Sequence, residues 1–444
     1  MRLTEGPKIR VPVPGEETKR IVSLDETYLA TGTKGSPVAI KWGRGVRFED
    51  LDGNLFLDFT NGMVAGTGHS HPRVVRAIQE QAEKFLFFNG PDFYYEVQSR
   101  IAQKLCQITP GDFPKKVFLS NSGAEANEAA LKLSRSATGK KQFVAFLGAF
   151  HGRTMGALAL TASKVVQRES FFPMMPGVTH LPFAYCYRCA YKMKPETCNF
   201  WCAQILEDLY FKSVLPPEEV AAVFMEPVQG EGGYVVPPVG FVQKIKKICE
   251  KYDILFVADE VQSGFGKTGE MFAIQHFGVV PDVINLGKAM ASGLPMGATV
   301  FNSELDFPVQ GRHSNTFGGN PISAVAALAT IEAIEEEKLL ENTRRMGDLF
   351  KKGLMDLMAD IEEVGDVRGL GLMLAIELVK DRETKTPARE LRDKVIENCY
   401  KNGLLLLPCG TSAIRFTPAM VINREEVEKG LEILRESILT ALKN

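Results

Sequence analysis

The sequence has no apolar run near the roughly 20 residues that a membrane helix needs, which argues against a bilayer span. It has no charge excess either: 52 Lys and Arg face 54 Asp and Glu, a net charge of −2. That balance disfavours nucleic acid or an anionic membrane as a partner. The opening MRLTEGPKIRVPVPGEETKR lacks an apolar signal core, and the expectation is a cytoplasmic protein. Internal repeats and low-complexity tracts are missing too, which disfavours a solenoid or fibrous array. Histidine is sparse, and His69 and His71 stand too far from other ligand types to suggest a metal; they read as loop structure. Cysteine is present eight times but not as an extracellular framework. Cys106, Cys249, Cys399 and Cys409 sit in apolar text, where a buried free thiol is the default.

What is present suits a large soluble protein. The 444 residues, 45% hydrophobic, are enough for one large domain and a smaller companion. Residues 1–35 read as extended or loop-like. Residues 39–59 alternate around an Asp52-Gly53 turn and predict a hairpin or meander. Helices are expected over 72–87, 94–108, 125–137 and 241–251, and strands over 116–119, 143–146, 220–225, 254–258, 283–286 and 296–301. This alternation implies an α/β fold with a mostly parallel, doubly wound sheet. Long helices over 322–340 and 344–358, then shorter strands and helices to the C-terminus, imply a second α/β unit. The expected division is 1–65 as an N-terminal segment contributing to the small domain, 66–325 as the large domain, and 326–444 as the small domain.

The chemistry concentrates in 254–288. The run Ile254-Leu-Phe-Val-Ala258 ends in Asp259-Glu260, and a second apolar run leads into Gly287-Lys288. In an open parallel sheet both would face the crevice at the strands' carboxyl ends. An acid and a lysine there suit a cofactor with a basic ring nitrogen and an aldehyde, pyridoxal 5'-phosphate (PLP). Gly266-Lys-Thr268 looks like the end of a P-loop, but the glycine needed five residues earlier is Val261. Ser120-Asn-Ser-Gly-Ala124 lies between a strand and a helix, where backbone N–H groups can cradle an anion or Ser122 can serve as a plain helix cap. In Phe150-His-Gly-Arg-Thr154 an aromatic could stack on a flat ring and Arg153 could fork a carboxylate. Arg415, on an apolar strand, needs a partner if buried, and Glu231 is the candidate. Cys186, Cys189, Cys198 and Cys202 could be a structural zinc site, two disulfides or four free thiols; no metal is assigned.

These motifs, with Gly68-His-Ser-His-Pro72, Glu226-Pro-Val-Gln-Gly-Glu231 and Thr316-Phe-Gly-Gly-Asn-Pro321, resemble the class III aminotransferases, a fold-type I PLP family. The resemblance implies that Lys288 forms the Schiff base and moves the proton between Cα and C4' of the cofactor. It implies that Asp259 pairs with the pyridinium nitrogen, Gln262 bonds the ring hydroxyl, Phe150 stacks on the ring, and Ser122, Gly123 and Ala124 hold the phosphate. Thr316 would reach the phosphate of a neighbouring subunit, implying a homodimer with shared sites or a higher oligomer. Arg153 would bind a substrate carboxylate, and Glu231 with Arg415 would be the family's switch pair. The implied activity is amino transfer from a 4-aminobutyrate- or ornithine-like donor to 2-oxoglutarate. Two departures bear on the donor. Ornithine-specific members carry an aromatic in the glycine-rich loop near Met63, where it contacts the donor's carboxylate, whereas here the loop reads Asn61-Gly-Met-Val-Ala-Gly. The cysteine-bearing insertion over 183–212 looks like a subgroup in which amino-acid racemases also occur, so a racemase is the alternative.

Overall fold

The computed structural model describes residues 6–443. The strands in chain order are β1 Ile40–Arg44, β2 Arg47–Asp50, β3 Leu55–Asp58, β4 Lys115–Ser120, β5 Gln142–Phe146, β6 Val178–Leu181, β7 Val220–Met225 and β8 Leu255–Asp259. There follow β9 Val283–Leu286, β10 Gly297–Asn302, β11 Val364–Leu370, β12 Met373–Asp381, β13 Thr386–Pro387, β14 Leu404–Leu405, β15 Leu407–Cys409 and β16 Ala413–Phe416. The first four helices are α1 Glu16–Tyr28, α2 Pro72–Ala82, α3 Glu96–Ile108 and α4 Gly123–Thr138.

Seven strands form the main sheet in the order β4-β10-β9-β8-β7-β5-β6. Strand β7 is buried at every residue, as continuous apolar runs covered on both faces should be. Strands β9, β8, β7, β5 and β6 are parallel neighbours, while β10 runs antiparallel to both β9 and β4. The expected last strand is therefore present but reversed, a direction that an apolar run cannot specify. Strand β6 was not anticipated. The carboxyl ends of β4, β5, β7, β8 and β9 share one edge, and the loops leaving them carry the candidate residues other than Met63, Thr316 and Arg415.

Two smaller sheets complete the fold. One has the order β11-β12-β16-β15, with β13 on β12, all antiparallel. The other has the order β1-β2-β3-β14, in which Leu404 and Leu405 pair in parallel with Leu57 and Asp58. The meander expected over 39–59 thus joins chain from the C-terminal part. Helix Leu339–Asp360 and helix Arg424–Lys443 close a second core containing Phe350, Leu354, Ile376, Phe416 and Ile438. Each such side chain contributes about 1.5–3 kcal/mol by burial.

Two expectations need correction. Residues 16–28 are helical rather than extended or loop-like; residues 1–5 lie outside the described part. The cap of α1 comes from far along the chain, since the Asp52 carboxylate accepts from Glu17 N and Thr18 N at 2.9 Å each. No local signal could announce that cap. Helix α2 stops at Ala82, short of 87. The next residues include four apolar side chains in a row, Phe85 to Phe88, which no helical stripe can bury on one face; all four are exposed. Among the described residues no helix is long and apolar enough to cross a membrane.

Candidate active site

Asp259 ends β8 and is 3% exposed. Its Oδ2 accepts from Asn127 Nδ2 at 2.8 Å and pairs with His151 Nδ1 at 2.7 Å, and its Oδ1 accepts from Val261 N at 3.0 Å. Removing such partners from a buried carboxylate costs several kcal/mol, of order 3–5. Asn127 comes from the buried face of α4, and its Oδ1 accepts from Asn285 Nδ2 at 2.9 Å. Burial alone would depress the pKa of His151, but the hydrogen bond and charge of Asp259, with Glu226 behind them, hold it above the usual histidine value. Glu226 follows β7 and accepts from Phe150 N at 2.9 Å and Gly230 N at 3.0 Å. Burial pushes its carboxyl up to about 7; the Asp259 charge adds to that rise and His151 opposes it.

Lys288 follows β9 and has a φ of 42°, in the left-handed region. A non-glycine residue held there stores on the order of 1 kcal/mol or more, which marks functional sites more often than ordinary turns. Its Nζ makes no hydrogen bond or ion pair with any described residue. Burial drives its pKa below the usual lysine value, with Asp259 and Glu226 opposing and Arg415 assisting. The residue is half-buried rather than sealed from solvent. The preceding turn packs tightly on α4: a Cβ on Gly287 would stand 3.3 Å from Gly123 N, and one on Gly123 only 2.4 Å from Val261. Ser122 is the N-cap of α4, its Oγ accepting from Glu125 N at 3.2 Å. The N–H groups of Gly123 and Ala124 find no acceptor among the described residues, and they open a 16-residue helix whose dipole favours an anion. Gln262 is buried beside Gly230, and its Oε1 has no partner.

These unanswered groups, together with the Asp259 carboxylate, fit PLP as a set. Lys288 Nζ matches an aldehyde, the Gly123 and Ala124 N–H groups a phosphate, Gln262 Oε1 a ring hydroxyl, and Asp259 a protonated ring nitrogen.

Also within electrostatic reach of Lys288, Arg415 on β16 pairs through Nη1 with Glu231 Oε1 at 2.6 Å. Arg415 is 8% exposed, and its Nε is buried without a partner. Burial tends to raise the pKa of Glu231, but Arg415 and Lys164 outweigh it and hold it below the usual carboxylate value. Met63 is half-buried in the turn Asn61–Met63. That loop is wedged between two parts of the site, because a Cβ on Gly62 would strike Pro418 and Thr417 at 2.3 Å and one on Gly66 would meet Ala289 at 3.2 Å. Arg153 is exposed, with its guanidinium 5.0 Å over the Phe150 ring. Thr316 is exposed beside Phe317, whose ring lies 5.0 Å from that of Phe87.

Sequence reasoning passed over Asn127, His151 and Lys164 as site groups, and read Glu226 only with Glu231, as a carboxylate pair for acid–base work or for pairing with arginines. A polar Asn127 on the alanine-rich buried face of α4 was a usable signal; nothing marked Lys164. The eight cysteines are free thiols, and Cys186, Cys189, Cys198 and Cys202 line one small cavity. Among the described residues no three His, Cys, Asp or Glu side chains are arranged to hold a metal. His69 and His71 bond Asp58 at 2.7 Å and Glu337 at 3.2 Å.

Comparison with known proteins bears on the same reading. The model of the family "Aminotransferase class-III" matches residues 28–438. The alanine/serine racemase of Pyrococcus horikoshii is 38% identical, over 99% of this chain and 94% of its own. The probable 4-aminobutyrate aminotransferase of Bacillus subtilis is 39% identical, over 90% of this chain and 92% of its own. The crystal structure of the omega transaminase from Pseudomonas jessenii in complex with PMP superposes with a TM-score of 0.89 at 30% identity, covering 95% of this chain and 98% of that one. A match over nearly the whole chain, joined to a lysine and a carboxylate at adjacent strand ends, makes this chain a member of the class III aminotransferase family and a PLP-dependent enzyme of fold-type I.

Proposed function

We propose that the enzyme transfers an amino group from a 4-aminobutyrate- or ornithine-like donor to 2-oxoglutarate. The observation that carries this reading is the Glu231–Arg415 pair, 2.6 Å apart and within electrostatic reach of Lys288. Paired, Arg415 is neutralised and the pocket accepts a donor whose reacting end is a distal amine. Released, Arg415 offers a buried fork for the α-carboxylate of a 2-oxo acid. One pocket thereby takes two substrates of different charge. Arg153 would hold the far carboxylate, and Met63 lines the donor's path.

When bound, PLP supplies an electron sink for the charge left on the carbon that carries the amine. Asp259, held by Asn127 and His151, would keep the ring-nitrogen proton in place. Gln262 would bond the ring hydroxyl, Phe150 would cover the ring, and Ser122, Gly123 and Ala124 would seat the phosphate. Lys288 Nζ, biased toward its uncharged form by burial, can take a proton from the substrate carbon and return it. We assign Thr316 to the phosphate of a second subunit. The exposed Phe85, Phe87, Phe88, Phe93, Tyr94 and Phe317 suit a homodimer contact around it.

The second reading is an amino-acid racemase, favoured by the likeness to the Pyrococcus horikoshii racemase. Racemisation needs a second proton carrier on the face opposite Lys288. The two readings separate when the holoenzyme meets a single L-amino acid or ω-amino acid without an oxo acid. A transaminase stops after about one amino group per subunit and resumes on adding 2-oxoglutarate. Continuous loss of optical activity from an L-amino acid would replace the transfer reading with the racemase.

A further inference from the structure

Glu231 has a second cation that the switch described above does not use. Its Oε1 takes Arg415, and its Oε2 takes Lys164 Nζ at 3.1 Å. The two cations come from different parts of the fold. Arg415 belongs to the antiparallel sheet of β12, β15 and β16. Lys164 follows a segment tied to the end of β5, where Gly148 N donates to Ala162 O at 3.0 Å and Ala162 N donates to Ala149 O at 2.8 Å. Glu231 is 19% exposed and Lys164 36%, so the carboxylate is mostly desolvated while its second partner reaches it from the rim.

Opening the switch has a cost that this arrangement addresses. When Arg415 turns to a substrate carboxylate, Glu231 would be left as a buried unpaired anion, a state that is strongly disfavoured. We propose that Lys164 is a specificity-determining positioning residue: it retains Glu231 on the large-sheet side whenever Arg415 leaves, and so lowers the cost of admitting the α-carboxylate of the acceptor. The inference rests on the transfer reading and on the switch within it. It concerns the acceptor half of the cycle, because the donor half proceeds with Glu231 and Arg415 still paired.

The test measures the two half-reactions separately by rapid-mixing absorbance on the PLP-loaded holoenzyme. One set mixes it with an ω-amino donor, the other mixes the amino-loaded form with 2-oxoglutarate. Lys164→Met should lower kcat/KM for 2-oxoglutarate about fivefold, through KM, and lower that of the donor much less; Lys164→Arg should restore the acceptor value. Equal losses in both halves would assign Lys164 a merely structural role. Unchanged constants, or a tighter acceptor, would overturn the proposal. A wild-type enzyme that never consumes 2-oxoglutarate would instead overturn the transfer reading beneath it, which keeps the two failures distinct.

Discussion

The proposed cofactor and substrate halves of the site are held by different physics. On the cofactor side Asp259 receives three hydrogen bonds, from Asn127, His151 and Val261, and it is 3% exposed. Those partners sit on α4 and on the loops that leave β5 and β8, so one arrangement satisfies them all. On the substrate side Glu231 is held by two ion pairs, to Arg415 and Lys164, from two different sheets or their loops. Long cationic side chains can exchange one anion for another with little change in backbone. The contrast teaches that a family can keep its chemistry constant and vary its substrates by building one side from directional bonds and the other from exchangeable charges.

The largest effect should come from the residue within electrostatic reach of both halves. Lys288→Ala is expected to lower turnover by at least about 10³-fold, within the range for a lost acid–base group, while the fold is kept. In the wild type, borohydride reduction followed by peptide mapping should place the cofactor on Lys288; a label on another lysine would break the assignment. Next in size, Arg415→Ala should weaken 2-oxoglutarate use by about 10²-fold, consistent with a lost buried charge pair worth 2–5 kcal/mol. Cofactor affinity, read by absorbance titration, should barely move. A large loss of cofactor affinity would erase the distinction between the two sides.

The smallest effect is on stability in acid. Glu231 has its pKa lowered in the fold, so its ion pairs stabilise the protein above the ordinary glutamate pKa of 4.5, and this contribution is lost as pH falls through the folded value. Glu231→Gln should therefore flatten the acid limb of Tm against pH, with little change at pH below that limb. An unchanged acid limb would mean that the pair contributes nothing net.

Much of the cofactor side was legible because strand periodicity and strand-end residues are local properties. The run ending in Asp259, the turn at Lys288 and the break before α4 all declare themselves within a few residues. The pairing of Arg415 with Glu231 followed from the cost of a lone buried arginine. Other features were hidden because their causes lie elsewhere in the chain. The cap of α1 is supplied by Asp52, the reversal of β10 is set by its neighbours, and Lys164 reaches Glu231 only through the β5 loop. His151 lay inside a quoted motif and Asn127 three residues beyond another, but their joint hold on Asp259 depends on three separate segments converging.

Gly230 sits one residue before Glu231, and any side chain there would collide with Gln262, whose Nε2 lies 2.4 Å from the position of a Cβ. This has a practical meaning for redesign. Positions 63, 164, 231 and 415 form a panel that can be randomised for new amines and oxo acids. Position 230 belongs to a different panel, to be varied only together with position 262, because an alanine there would press on Gln262, the residue proposed for the ring hydroxyl.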